Sequence, residues 1–582
     1  MKCSCRFLAI WLLLSALVAS CTDRPMPDCA SKPEVKPADA DLLAYLPELI
    51  VQLKDENGDW LKITKGETSF RVYSRLPADD PRSVAFRQVY AKTPEYRLLI
   101  ELIEAAKRFL KNSEKVPAGI DPVQWHRMLE DPLYLAVEGI LTNSPSQGLV
   151  IRTEKGDEEH QLTQYVGCAS TLHEISKPGF INLILHETGH LLARFSASAW
   201  VIPVFDQVSR IESLDQLTPL LRLRSGQLHD IQQTTFGYGA LEEGMAEAWE
   251  TLLTIRKPVI EADAWKLDPA QSLRLVSRHT IRPKRPDLIR WNRLIFEQAT
   301  PSPEVENKIG FDAAYMLYRR TMPLDNHRLK PCGPQMATEG VFASLFVRLI
   351  TSRELQDAPL PPELVTKIAP PGSNPDAWLA SLGPDGRGLL RLVLAILSID
   401  QYHPDVTVLN VSFHRLVDTW LKMLPSDAAT VIRTVVMTTM GATASIELSS
   451  KIRRFLAASE NFPLNDSEPD HVQLLTDELT ALADTIKDAN VLFAACGPEI
   501  WVRLEGKKLC NEWGTCSPFE VDLNAAEEMD FRMFPGVSAT KARELIELRD
   551  TKGWFSTPEE FFQAAGISEE QRTSILLLPK ST

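Results

Sequence analysis

The sequence predicts a mixed α+β protein in which helices predominate. Segments of strand character around turn signals occur up to about residue 170, and apolar residues recur at three- and four-residue spacing after Phe180. Apolar residues make up 44% and charged residues 24% of the 582-residue chain, which is the composition of an ordinary folded globular protein. The chain is long enough for about two to four domains.

Two β-hairpins are predicted in the first part of the chain. The segment IVQLKDENGDWLKIT has apolar and β-branched residues on both sides of Asn57-Gly58, and GLVIRTEKGDEEHQLTQYVGC has the same arrangement around Lys155-Gly156. A glycine at such a position permits the positive φ that tight hairpin turns require.

Helices are predicted after Phe180. Apolar residues lie at helical spacing in the segments GALEEGMAEAWETLLTI, GVFASLFVRLITS, GLLRLVLAILSI, FHRLVDTWLKML and LLTDELTALADTIKDA. No fixed-period repeat is visible, which argues against a solenoid. Residues 41–500 are therefore predicted to form the main body, whose internal division the sequence leaves open.

The N-terminal segment is predicted to be a targeting sequence. Lys2 and Arg6 precede the apolar run FLAIWLLLSALVAS, which is short for a membrane span and ends in small residues before Cys21. The segment resembles a bacterial lipoprotein signal, which implies removal of residues 1–20 and attachment of lipid to Cys21. An ordinary secretory signal is the alternative.

The resemblance also implies a location in the bacterial cell envelope. Thr22 stands where an Asp would retain many lipoproteins at the inner membrane, so the outer membrane is favoured. The Pro-rich residues 21–40 are expected to be a tether. In an oxidising compartment disulfides are expected, and Cys510 and Cys516, on either side of NEWGT, are the first candidate pair.

Residues 517–582 are predicted to form a separate all-α domain. The segment from Phe519 contains the lead-in VDLNAA, a Pro535-Gly536 turn between two helices, GWFSTPEEFF, and a second turn at AAGIS. It resembles the tandem helix-hairpin-helix domain of competence-type DNA receptors. That resemblance implies contact between hairpin amides and DNA phosphates.

The charge of this region disfavours nucleic acid as its partner. Ser517–Thr582 contains 12 acidic and 7 basic residues, a difference of −5, and the whole chain has a formal net charge of −14. The usual Gly-x-Gly of the hairpin is reduced to Gly536-Val537-Ser538. Because an acidic surface repels a polyanion, a protein-contact or structural role is at least as well supported.

A metal site is predicted in FINLILHETGHLLARF. His186 and His190 are one helical turn apart and project from the same face, a spacing at which two imidazoles can bind one ion. Glu187 lies beside them and is the expected general base. Gly189 in the helix interior suggests that another backbone or a ligand packs closely there.

The third ligand is expected from GALEEGMAEAWE. This segment resembles the second motif of the glutamate-ligand zincin metallopeptidases (gluzincins), in which a downstream helix supplies a glutamate. The resemblance implies a zincin-like body, Zn²⁺ as cofactor, Glu243 as the ligand and Glu247 as the residue that orients a ligand histidine. Glu242 stands where this family often has Asn, which leaves the ligand position open by one residue.

Other residues compete for these roles. Glu339 in ATEGVFASLF and His229 are alternative third ligands. Tyr238, Tyr315, Tyr318 and His327 are candidates for stabilising an oxyanion, and none of them is assigned.

The sequence therefore predicts a zinc metallopeptidase that acts on a peptide or protein and is anchored to the envelope by lipid. The alternative is a non-catalytic envelope lipoprotein that binds DNA or a protein partner through its C-terminal domain. The sequence leaves the oligomeric state of the protein open.

Overall fold

The computed structural model divides into two units, Met1–Ala44 and Tyr45–Thr582. The structure describes, all within the second unit, residues 46–65, 68–113, 115–117, 119–137, 149–160, 165–167, 184–198, 237–254, 297–298, 307–308, 311, 328–406, 411–439, 441–445, 447–451, 477–479, 481–510 and 516–578. The predicted signal, the tether and Cys21 lie outside these residues. None of the described helices is long and apolar enough to span a bilayer.

A mixed β-sheet forms the first part of the unit. Its strands are β1 (Glu48–Gln52), β2 (Lys62–Lys65), β3 (Thr68–Arg75), β4 (Tyr134–Ala136), β5 (Leu149–Thr153), β6 (Gly156–His160) and β7 (Tyr165–Gly167). The order is β6-β5-β3-β1-β4-β7, and β2 also pairs with β3. The pairs β1–β4, β3–β5 and β4–β7 are parallel, whereas β1–β3, β2–β3 and β5–β6 are antiparallel.

Both predicted turns are present. Gly58 has φ 86° in a turn closed by an antiparallel bridge between Lys54 and Trp60. The strands that flank this turn, β1 and β2, then pair with β3 rather than with each other. The β5–β6 hairpin runs in register from Leu149↔His160 to Thr153↔Gly156.

Helices form the larger part of the described chain. In chain order they are α1 (Pro81–Lys92), α2 (Pro94–Asn112), α3 (Pro122–Glu130), α4 (184–198), α5 (Gly237–Thr254), α6 (Cys332–Gln335), α7 (Glu339–Thr351), α8 (Arg353–Asp357), α9 (Pro362–Ile368), α10 (Pro375–Ser381), α11 (Gly383–Leu397), α12 (Ile399–Tyr402), α13 (Phe413–Met423), α14 (Ala428–Thr438), α15 (Ala489–Leu492), α16 (Glu528–Phe531), α17 (Ala539–Lys552), α18 (Pro558–Ala565) and α19 (Glu569–Arg572). The mixed α+β class with helix predominant is therefore confirmed.

Several prolines start helices rather than loops. Asp80, Asp121 and Asn374 each cap a helix through the side chain, and a proline follows each of them at the first helical position. Proline suits that position because its missing N–H has no intrahelical acceptor there.

The main core lies between one face of the sheet and the helices. Leu49 and Leu135 belong to this core, whereas their neighbours Ile50 and Ala136 belong to a smaller cluster on the opposite face. This separation follows from the two-residue period of a strand.

Glycines allow four helices to pack closely in succession. A Cβ at Gly189 of α4 would lie 2.8 Å from the Cα of Ala246 in α5. A Cβ at Gly244 of α5 would overlap the Cβ of Phe342 in α7. A Cβ at Gly388 of α11 would overlap the carbonyl oxygen of Ile350 in α7. The backbones of α4 and α5, of α5 and α7, and of α7 and α11 therefore approach each other closely at these glycines.

The C-terminal part has its own core and contains both helices and strands. Strands β10 (Trp501–Cys510), β11 (Cys516–Asp522) and β12 (Ile575–Leu577) form an antiparallel sheet in the order β11-β10-β12. Separate from it, β8 (Glu297–Gln298) pairs with β9 (Arg328–Leu329). The prediction that residues 517–582 are all α is wrong, because β11 and β12 both pair with β10, which precedes that range.

Two helical hairpins follow β11. Helices α16 and α17 flank the turn at Pro535-Gly536, where Gly536 has φ 76°, and α18 and α19 flank Gly566, which has φ 73°. Asn524, just before the first hairpin, bonds to the segment between the hairpins and to the segment before β10: its side chain donates to the carbonyl oxygens of Phe555 and Pro498 and accepts from the amide of Phe555.

A disulfide joins Cys332 at the start of α6 to Cys496, which ends the short 3-10 helix Ala494–Cys496. Cys510 and Cys516 face each other in the β10–β11 ladder. Their side chains lie outside the described residues, so the pair stays a prediction.

Candidate metal centre

Helix α4 presents the two histidines on one face. His186 and His190 are separated by one turn, and their ring centroids are 4.8 Å apart. The Thr188 hydroxyl donates to the Ile184 carbonyl oxygen at 2.6 Å, so this buried polar group is satisfied within the helix. The apolar residues that follow are buried in the main core: Leu191, Leu192, Ala193, Phe195 and Ala197.

Helix α5 brings a carboxylate to the two imidazoles. The Nε2 atoms of His186 and His190 are 3.2 Å apart. The Oε2 atom of Glu243 lies 3.3 Å from Nε2 of His190 and 3.8 Å from Nε2 of His186. These three residues form the group of possible metal ligands found among the described residues.

The spacing of these donor atoms fits a zinc ion. Two ligand atoms that are each about 2.0–2.1 Å from a tetrahedral ion are about 3.3–3.4 Å from one another. The observed separations of 3.2, 3.3 and 3.8 Å lie around that value. Two imidazole nitrogens and one carboxylate oxygen are also a known donor set for catalytic zinc, which keeps a fourth position open.

The donor group is accessible from one side. The side chain of His190 is 5% exposed, whereas those of His186 and Glu243 are 19% and 18% exposed. His186 and Glu243 are therefore partly exposed to solvent, while His190 is buried.

A second carboxylate lies behind His190. The Oε1 atom of Glu242 is 3.5 Å from Nδ1 of His190 and accepts from Nε of Arg194 at 2.5 Å. Nη2 of Arg194 is also 2.5 Å from the same oxygen. Burial favours the neutral acid, but Arg194 and then His190 outweigh it and lower the pKa of Glu242 to about 2.

Gly189 sets the distance between the two helices. It lies between the histidines on α4, and its Cα faces Ala246 on α5, three residues after Glu243. The sequence-based expectation of a close backbone approach at Gly189 is confirmed.

The other predicted site residues are placed as follows. Glu187 is half-buried on α4 immediately after His186, and Glu247 is half-buried on α5 one turn after Glu243. The carboxylate of Glu242 lies at Nδ1 of His190. The roles assigned to Glu187 and Glu247 stay predictions.

Of the alternative ligands that the structure describes, Glu339 and Glu242, neither belongs to the donor group. Glu339 begins α7 and is 2% exposed, but it is not part of the cluster formed by the described residues. His229, Tyr315, Tyr318 and His327 lie outside the described residues, as does the side chain of Tyr238. Glu242, the neighbouring position left open by the sequence, contacts the opposite nitrogen of His190.

Sequence reasoning missed Arg194. One signal was available: Arg194 lies one turn after His190, at the end of the otherwise apolar HLLAR. A charged side chain on the buried face of an apolar helix requires a partner of opposite charge, and in the structure this partner is Glu242.

The match to a known protein family lies in the C-terminal part. Residues 519–575 match the family model described as a helix-hairpin-helix motif. No curated protein and no solved structure matches the chain. The region that contains α16 to α19 is therefore a helix-hairpin-helix region, as the sequence predicted.

Proposed function

We propose that the protein is a zinc-dependent peptidase with a zincin-like body. The observation that carries this proposal is the convergence of His186, His190 and Glu243 on one point at the spacing of tetrahedral ligands. The two histidines come from one helix and the glutamate from another, as in the glutamate-ligand zincins that the sequence resembles.

Each residue has a distinct task in peptide hydrolysis. His186, His190 and Glu243 would hold Zn²⁺, which when bound acts as a Lewis acid and makes water a stronger nucleophile near neutral pH. Glu187, beside His186, is the proposed general base. It takes a proton as water attacks the peptide carbonyl carbon, and it delivers that proton to the amine as the C–N bond breaks.

Metal analysis of the protein without its first 21 residues tests the metal site. We expect about one equivalent of zinc in the wild type and in Glu187→Gln, and a large loss of zinc in Glu243→Ala. Glu339→Gln is the matched control, because it alters a buried glutamate on the neighbouring helix and should keep the metal. Less than about half an equivalent in the wild type at neutral pH would contradict the proposal.

Hydrolysis of a fluorogenic unfolded protein tests the activity. Glu187→Gln should lose about 10²–10⁴-fold in turnover while it keeps its zinc, because the variant lacks the proton acceptor. A variant that binds zinc and turns over at the wild-type rate would exclude Glu187 as the base.

We also propose that the protein is attached to the bacterial envelope, on the outer membrane, through lipid on Cys21. The support is the sequence of the N-terminal segment. Metabolic labelling with palmitate should mark the wild type, and Cys21→Ser should abolish both the label and the membrane fraction. Unchanged labelling of Cys21→Ser would refute this assignment.

Binding of nucleic acid by the C-terminal region is the second candidate function, favoured by the family match. Its charges argue against strong binding, because Lys541 contacts Glu544 at 3.2 Å and Arg543 contacts Glu528 at 3.5 Å. Anisotropy titrations with labelled duplex DNA should show only weak binding at about 0.15 M salt. Tight binding with a steep salt dependence would favour the DNA-binding alternative.

A further inference from the structure

We propose that Arg194 and Glu242 form a positioning pair that orients His190 for zinc. The inference rests on the proposed metal site and assigns two residues outside the donor group. It follows from the way two consecutive glutamates of α5 meet the two nitrogens of one imidazole.

His190 is approached from both sides. Glu243 Oε2 lies 3.3 Å from Nε2, and Glu242 Oε1 lies 3.5 Å from Nδ1. A neutral imidazole that offers Nε2 to a metal carries its proton on Nδ1, and a carboxylate at Nδ1 fixes that tautomer and the ring orientation. At 3.5 Å the carboxylate of Glu242 faces Nδ1 without a hydrogen bond between them, and a shift of about 0.5 Å would bring the two atoms to hydrogen-bond distance.

Arg194 restricts Glu242 to this task. Both Nε and Nη2 of Arg194 lie 2.5 Å from the Oε1 atom that faces His190. The glutamate is 8% exposed, so rotation away from the arginine would remove this ion pair from a buried carboxylate. The pair therefore holds the carboxylate behind His190 and away from the position between the ligands.

If Arg194 and Glu242 formed a purely structural ion pair, their replacement would have a different effect. Such a pair would contribute to folding and leave metal affinity unchanged. The chain provides a matched comparison in Arg391 and Asp427, whose side chains contact each other at 2.6 Å and are 1% and 0% exposed. Neither residue belongs to α4 or α5, so this pair is remote in sequence from the donors.

The test measures Zn²⁺ affinity by competition with a chromophoric chelator, together with urea unfolding of the metal-free protein. Arg194→Lys replaces a planar fork with a single ammonium, which cannot reproduce the two contacts to one oxygen. We expect it to bind Zn²⁺ about 10–100-fold more weakly than the wild type. Arg391→Lys should lower stability and keep wild-type affinity.

A double variant tests the same role without leaving a single unpaired charge that could prevent folding. Arg194→Met combined with Glu242→Leu removes both charges and retains buried volume, a change that folded proteins often tolerate. Its affinity should fall by the same 10–100-fold, because Nδ1 of His190 loses its carboxylate. With saturating Co²⁺, both variants should keep the visible absorption of a four-coordinate site, since the three ligands are intact.

The outcomes separate the two proposals. Wild-type affinity, within about twofold, in both Arg194→Lys and the double variant would overturn the positioning role and leave the zinc site standing. Absence of Zn²⁺ binding in the wild type, with no effect of Glu243→Ala, would overturn the metal site itself. Equal losses of affinity in Arg194→Lys and Arg391→Lys would reduce the pair to a structural one.

Discussion

Replacement of Gly189 by alanine tests whether helix packing sets the geometry of the donors. A Cβ at this position would lie 2.8 Å from Cα and 3.4 Å from Cβ of Ala246. Nonpolar carbon atoms normally approach to about 3.5–4.0 Å, so α4 and α5 must separate by roughly 1 Å. The histidines lie on one of these helices and Glu243 lies on the other.

The expected effects follow from this displacement. Metal–ligand distances tolerate changes of about 0.2 Å, so a separation of roughly 1 Å should weaken Zn²⁺ binding by about tenfold or more. Overpacking should destabilise the fold by about 1–3 kcal/mol, offset by about 1 kcal/mol because alanine favours a helix over glycine. The net loss in free energy of unfolding is then about 0–2 kcal/mol.

Two measurements on the same preparations decide the matter. Chelator competition gives the Zn²⁺ affinity, and urea unfolding in EDTA gives the stability of the metal-free protein. Gly388→Ala is the control, because its Cβ would overlap the carbonyl oxygen of Ile350 between α11 and α7 and so disturb packing without separating α4 from α5. A Gly189→Ala variant that is about 1 kcal/mol more stable and binds Zn²⁺ like the wild type would refute the reasoning.

Two predictions concern the C-terminal part. Burial, and then the neighbouring Glu499, raise the pKa of Asp522 to about 7. Between about pH 4 and pH 7 the folded state therefore holds a proton that the unfolded state has released, and the free energy of unfolding should fall as pH rises through this window. Urea unfolding of Asp522→Asn should show a flatter profile there, and an unchanged slope would exclude Asp522 as its source. Asn524→Ala removes three hydrogen bonds to backbone groups on two segments and should destabilise the protein by about 2–4 kcal/mol. A loss below about 0.5 kcal/mol in thermal or urea unfolding would show that water replaces these bonds.

Local patterns predicted the features that depend on local spacing. The i, i+4 histidines, the turns at Gly58 and Gly156, and the hairpin glycine Gly536 each reflect the geometry of a single element. The donor contact of Glu243 was expected only through resemblance to a family, because 52 intervening positions separate it from His190. Helical spacing cannot specify which carboxylate, distant in sequence, lies next to the two histidines in the fold.

Features that depend on tertiary contacts escaped prediction. Glu242 contacts Nδ1 of His190 because α4 crosses α5 at Gly189, and the sequence does not reveal that crossing. Strand β12 contains three residues and is defined by its pairing with β10, so its own pattern is too short to identify. The bond between Cys332 and Cys496 spans 164 positions, too far for any local signal.

The Cys332–Cys496 bond affects how the protein responds to chain cleavage. A single cut at any peptide bond between these two residues leaves the N-terminal fragment, with α4 and α5, covalently joined to the fragment that contains the helical hairpins. The two fragments separate on a denaturing gel only after a thiol reductant is added. Proteolysis at one bond in this interval therefore produces a nicked molecule that keeps both fragments and gains one water, rather than a released tail.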